Sequence, residues 1–167
     1  GGIRSDATAT ITGSTISDNS ANTDSGGGIV VYESALTLTD STVRGNTAHD
    51  EAGGILIGSS ANLTLNRSTI SGNSAGTSGG GIWQDGTLTM TNSTVSGNTA
   101  GTNGGGITFS GVTAEITNST ISNNVANTDH RSAIFVGSAN TAKFRSTIIS
   151  NSTPGGNCVS LGTLSSL

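Results

Sequence analysis

The side chains best suited to chemistry in this sequence are carboxylates set in turns. Asp24, Asp50 and Glu51, with His49 beside them, all lie just before Gly-rich turns. Vertically neighbouring acids can raise a pKa or hold a cation, and clustered carboxylates are what hydrolytic or lyase chemistry on polysaccharides needs. The equivalent positions further along hold Thr77 and Thr102, however, and no Arg or Lys joins the group. Solvated turn residues are the simpler account, and Asp129, His130 and Arg131 form a similar turn. No Ser-His-Asp arrangement and no metal spacing such as His-x-x-x-His is present, so no catalytic residue, metal or cofactor is expected.

The element that must position these residues is a repeat. A Gly-rich turn leads into an Ile at positions 3, 29, 55, 82, 107 and 134, in steps of 26, 26, 27, 25 and 27 residues. A second marker, the aliphatic after Ser-Thr, falls at Ile16, Val43, Ile70, Val95, Ile121 and Ile148, with an Asn three residues later at Asn19, Asn46, Asn73, Asn98, Asn124 and Asn151. Within a unit the apolar period is two, as in Thr87-Leu88-Thr89-Met90-Thr91, which means strand rather than helix. Self-similarity at this length means a solenoid. The fold expected is all-β: a right-handed parallel β-helix of about six coils, roughly 26 residues and three short strands per coil, about 30 Å tall at strand spacing. The coils should occupy residues 1–156, leaving 157–167 as a capping tail or the start of a missing segment.

Sorting side chains by face assigns most of the repeat to stacking. The Ile column, Ala9, Leu36, Leu63, Leu88 and Ala114, and Ile11, Leu38, Leu65, Met90 and Ile116 should point inward. The Asn column should form a structural ladder that passes its amides from coil to coil and satisfies turn backbone. Ser14, Ser41, Ser68, Ser93, Ser119 and Ser146 should form a parallel hydroxyl ladder. In the last coil, Lys143 falls at an inward place. A buried unpaired ammonium is too costly, so a bulge or slip is expected that turns Phe144 inward and frees Lys143.

What varies between copies lies outside. The outward residue after each Ile runs Arg4, Val30, Leu56, Trp83, Thr108 and Phe135, with Tyr32 between Asp6 and Asp85 in the next outward column. Val30, Leu56, Trp83, Phe135 and Tyr32 are the candidate partner-binding stripe, since exposed apolar patches usually mean contact. The second strand presents Thr outward, as Thr10, Thr37, Thr64 and Thr89, in an array resembling the face of ice-binding solenoids, although Asn62, Asn66 and Glu115 interrupt it. Sequons at Asn62, Asn66, Asn92, Asn118 and Asn151 follow from the repeat's own Asn-Ser-Thr and carry no glycosylation reading.

Composition narrows the partners. With 10% charged residues, 3% aromatics and a net charge of -4, the chain has no phosphate-tracking surface, so nucleic acid is not an expected partner. It has no run of about 20 apolar residues to span a membrane. Its opening in mid-repeat reads as a fragment of a longer or processed protein. The single Cys158 reads as a free thiol or as one half of a disulfide with a cysteine further downstream.

Gly-Gly-Gly-Ile, the Thr/Leu strand and Asn-Ser-Thr-(Ile/Val)-Ser-Gly-Asn together resemble bacterial cell-surface right-handed β-helix repeat proteins. The polymorphic outer-membrane protein type is one form. The ending Gly155-Gly156-Asn157-Cys158 is similar to the close of the β-helix in choice-of-anchor surface proteins. The resemblance implies a secreted or surface-displayed, non-catalytic structural or adhesive protein. Its partner would be a cell-surface protein or glycan, or further copies of itself end to end or side by side. The alternatives are a pectate-lyase-like, polysaccharide-active enzyme and an ice-binding protein.

Overall fold

The computed structural model describes residues 1–111, 113–127, 133–152 and 156–166. Its strands form four parallel sheets, each running the length of a rod. Sheet A comprises Ile3–Ser5, Ile29–Val31, Ile55–Ile57, Ile82–Gln84, Ile107–Phe109, Ile134–Val136 and Cys158–Ser160. Sheet B holds Ala9–Thr12, Ala35–Thr39, Asn62–Asn66, Thr87–Thr91, Thr113–Thr117, Thr141–Arg145 and Thr163–Ser166. Sheet C runs from Thr15–Ser17 to Ile148–Ser150 in six strands. Sheet D has five strands of two residues each, from Ser20–Ala21 to Val125–Ala126. Among the described residues these make five complete coils of four strands, then three strands of a sixth coil and two of a seventh.

Each complete coil therefore has four strands where three were expected. The fourth is too short to show alternation, yet its inward Ala21, Ala48, Ala75, Ala100 and Ala126 are all buried. Identical residues stack in register: Ile29 on Ile55, Ile55 on Ile82 and Ile82 on Ile107. Leu36, Leu63, Leu88 and Ala114 form one inward column of sheet B, and Leu38, Leu65, Met90 and Ile116 the other. These columns make a single continuous core. Burying each large aliphatic contributes roughly 1.5–3 kcal/mol, and only the next coil can cover it.

Two of the corners are set by left-handed backbone. Gly13, Asp40, Arg67, Asn92, Asn118 and Ser146 all have φ between 47° and 57° at the corner from sheet B to sheet C. Asp18, Gly45, Gly72, Gly97, Asn123 and Asn151 do the same, between 52° and 65°, at the corner from C to D. Gly, Asn and Asp populate this region most cheaply, which explains most of both columns.

At the end of the rod one expectation is met by another route and two are corrected. Phe144 turns inward and Lys143 is freed, as expected, but through a longer loop rather than a bulge within the strand. The loop between sheets A and B varies from two to four residues, and its extra residues put Phe144 opposite Ile116 and Lys143 opposite Glu115 in straight register. Phe144 packs against the core, and Lys143 Nζ lies 3.3 Å from Glu115 Oε1. The alignment at sheet C is one residue off: Ile149, not Ile148, pairs with Ile121, and Ile148 is 61% exposed. Thr147 consequently takes the place expected of Ser146. Lastly, the segment 157–166 adds strands to sheets A and B rather than folding across the end as a cap. Its Cys158–Ser160 pairs with Ile134–Val136, and its Thr163–Ser166 with the strand before it in sheet B.

Candidate functional site

The Asn column is a hydrogen-bonded ladder. Asn73 Oδ1 accepts from the backbone N–H of Asn46 at 3.0 Å and from its Nδ2 at 2.9 Å. In turn Asn73 Nδ2 donates to Val43 O at 3.0 Å and to Asn98 Oδ1 at 2.9 Å. The pattern recurs from Asn19 through Asn124, and Asn46, Asn73, Asn98 and Asn124 are buried. It also explains the last Gly of each Gly-rich turn. A Cβ on Gly54 would come within 2.5 Å of Gly81 O and 3.0 Å of Asn73 Nδ2, so the missing side chain makes room for the ladder. The hydroxyl ladder stands beside it: Ser68 Oγ accepts from Ser41 N–H at 3.2 Å and donates to Asn66 O at 3.0 Å.

Asn151 does not join the ladder. It occupies the left-handed corner, with φ 52°, and the buried Ser152 stands where the amide was expected. The missing bonds come from Asn157, at the level of the seventh coil. Its Oδ1 accepts from Ser152 N–H at 3.2 Å and its Nδ2 donates to Ile149 O at 3.1 Å. Both repeat the bonds that each ladder Asn makes to the coil below. Asn157 sits directly before Cys158, where the first five coils carry the last Gly and the sixth Ala133, and so reaches the same space from the opposite wall.

The apolar stripe is mostly not a free surface. Val30 is 8% exposed and Leu56 4%. With Ala52 they form a second, outer core against which the half-buried Trp83 packs. The cover is the chain's own loop ahead of the Gly-rich turn: Ala52, at φ 58°, folds over the outward face of sheet A. Thr108 is buried too, its Oγ1 donating to Asn103 O at 3.1 Å. Phe135 is half-buried and Tyr32 is 40% exposed. The Arg4 guanidinium lies 5.3 Å from the centre of the Tyr32 ring. A hollow lined by Arg4, Thr23, Asp24, Val30 and Tyr32 opens beside it.

The carboxylates are engaged singly. Asp24 Oδ1 accepts from Ser25 N–H at 2.8 Å, Asp50 Oδ1 lies 2.9 Å from His49 Nδ1, and Glu51 Oε2 accepts from Ser25 Oγ at 3.5 Å. Asp24 and Asp50 are vertical neighbours as expected, their turns joined by an Asp50 N–H to Asp24 O bond. Arg67 binds Asp40 through both carboxylate oxygens, at 2.7 and 2.8 Å. The guanidinium holds the Asp40 carboxyl below its ordinary value, first through that hydrogen bond and then through its charge. Among the described residues no three His, Cys, Asp or Glu side chains group as a metal would need. Asp129, His130 and Arg131 lie outside the described residues.

A family model for a right-handed β-helix region matches residues 2–165, nearly the whole chain. The chain belongs to the right-handed β-helix family. No curated protein and no solved structure matches it.

Two features of this β-helix were missed by pattern. Gln84 occupies the inward column between Ile57 and Phe109 and is fully buried. Its Nε2 donates to Gly86 O and, at 3.4 Å, to Thr113 O, while its Oε1 has no partner. A Gln two residues after an otherwise regular Ile was the available signal. Cys158 is the second. It replaces Ile in the first inward column and packs against the core, and burial pushes its thiol above the usual range. Among the described residues, no helix of the β-helix is long and apolar enough to cross a membrane.

Proposed function

We propose that this β-helix is a non-catalytic structural or adhesive element of a secreted or surface-displayed bacterial protein, presenting its outer faces to a protein or glycan partner. The observation that carries the reading is the engagement of the repeat's own polar side chains. The amides and hydroxyls that recur in every copy bond the next coil or their own turn. The acids that vary are held one by one in exposed turns and corners, rather than converging on one outer face as polysaccharide cleavage requires. The residues left for contact are Tyr32, with Arg4 over it, and the half-buried Trp83 and Phe135.

Binding to cell-envelope fractions and to a polysaccharide panel tests this. Tyr32→Ala and Trp83→Ala should each weaken capture several-fold with the β-sheet spectrum unchanged. Polysaccharide turnover by the parent chain that disappears in Asp24→Asn plus Asp50→Asn would contradict the reading and establish the enzyme.

A further inference from the structure

We propose that the outward face of sheet B binds ice. The register places outward side chains in three straight columns. The first is Ala35, Asn62, Thr87 and Thr113; the second Thr10, Thr37, Thr64, Thr89 and Glu115; the third Thr12, Thr39, Asn66, Thr91 and Thr117. Over the first four coils the rows are Thr-Thr, Ala-Thr-Thr, Asn-Thr-Asn and Thr-Thr-Thr, with no charged residue. Hydroxyls and methyls thus repeat about 4.8 Å from coil to coil and about 6.7 Å along each strand. The array is regular in two directions, so many groups can engage an ordered water lattice at once. Stacked identical ladders also keep a sheet flat, and a β-branched Thr has few rotamers to lose on contact.

The chemistry suits an ordered water surface better than a protein. The methyl groups exclude loose water while the hydroxyls hold water in ice-like positions. The Asn62 amide fits the array, since its Oδ1 accepts from Thr87 Oγ1 in the next coil. The array ends at the fifth and sixth coils, where Glu115 and Lys143 pair across the face. The binding patch is therefore the first four coils.

The test is nanolitre osmometry on the purified chain, with crystal shape recorded. The parent chain should hold a gap between melting and freezing points and produce faceted crystals. Thr37→Tyr and Thr89→Tyr should each reduce the gap several-fold, because a ring in the middle column lifts the face off the lattice. Ser71→Tyr, on sheet C, should leave it unchanged, and circular dichroism should show all three variants folded. No gap for the parent chain, or an undiminished gap in folded Thr89→Tyr, would overturn the proposal.

Discussion

At each of the two corners flanking sheet C, two neighbouring positions are built on opposite terms: the left-handed residue faces water and the residue after it turns inward. At the corner from sheet C to sheet D, the side chain after the left-handed residue turns inward, and four successive coils carry the same buried residue: Asn46, Asn73, Asn98 and Asn124. At the corner from sheet B to sheet C, the left-handed residue itself faces water and runs Gly13, Asp40, Arg67, Asn92, Asn118 and Ser146. Both corners demand the same backbone. The difference lies in what a substitution strands. Within the rod, losing an amide leaves a backbone N–H and a carbonyl without water to replace it; outside, water takes over at once. Repetition in this molecule marks buried polar demand, and variation marks access to solvent.

The sharpest way to break that contrast is Asn73→Ala. It orphans the Asn46 N–H and removes the side-chain donor to the Val43 carbonyl, at about 1–3 kcal/mol for a buried group left unpaired, so a loss of about 3 kcal/mol is expected in urea unfolding. Leu56→Ala tests whether burial, rather than inward direction, decides. As part of the outer core beneath Ala52 it should cost about 2–3 kcal/mol. A free surface residue would change stability by no more than about 0.5 kcal/mol. Gly54→Ala drives a methyl against Gly81 O and the ladder, and should cost about 1–3 kcal/mol. Arg67→Ala should be the mildest, with no resolvable change in the unfolding midpoint, because the Asp40 pair lies on the surface and is screened by solvent. Its pH signature has a definite sign. Asp40 is held below its ordinary 3.8, so the pair's contribution is whole above that value and fades as pH falls through it toward the lowered one. Above that value, titration of this pair should leave the melting temperature unchanged.

The same contrast explains what could be read before the fold was known. Stacked identical residues show in sequence, so the Ile, Leu, Ser and Asn columns and the coil length were legible. Lengths absorbed by water-facing loops were not. The two-to-four-residue loop from sheet A to sheet B displaced Lys143 and Phe144 from their counted positions. The run Ser146-Thr147-Ile148-Ile149-Ser150-Asn151-Ser152 offers two registers. Spacing chose the wrong one because Ile148 and Asn151 complete the motif, whereas the left-handed corners at Ser146 and Asn151 select the other. Alternation places Val30 and Leu56 on the outside, since it says which way a residue points, not what a loop lays over it. Asn157 could not be anticipated at all, since it enters the ladder from the opposite wall.

Amide hydrogen exchange resolved by residue tests the role of the ladder most directly. The backbone N–H groups of Asn46, Asn73 and Asn98, which donate to side-chain oxygens of the coil above, should exchange about as slowly as those of Ile55 and Ile82 in the core. Their side-chain amides should be protected as well. Exchange as fast as in the exposed loop at Ser59 and Ser60 would contradict the view that these bonds, repeated coil by coil, hold the rod together.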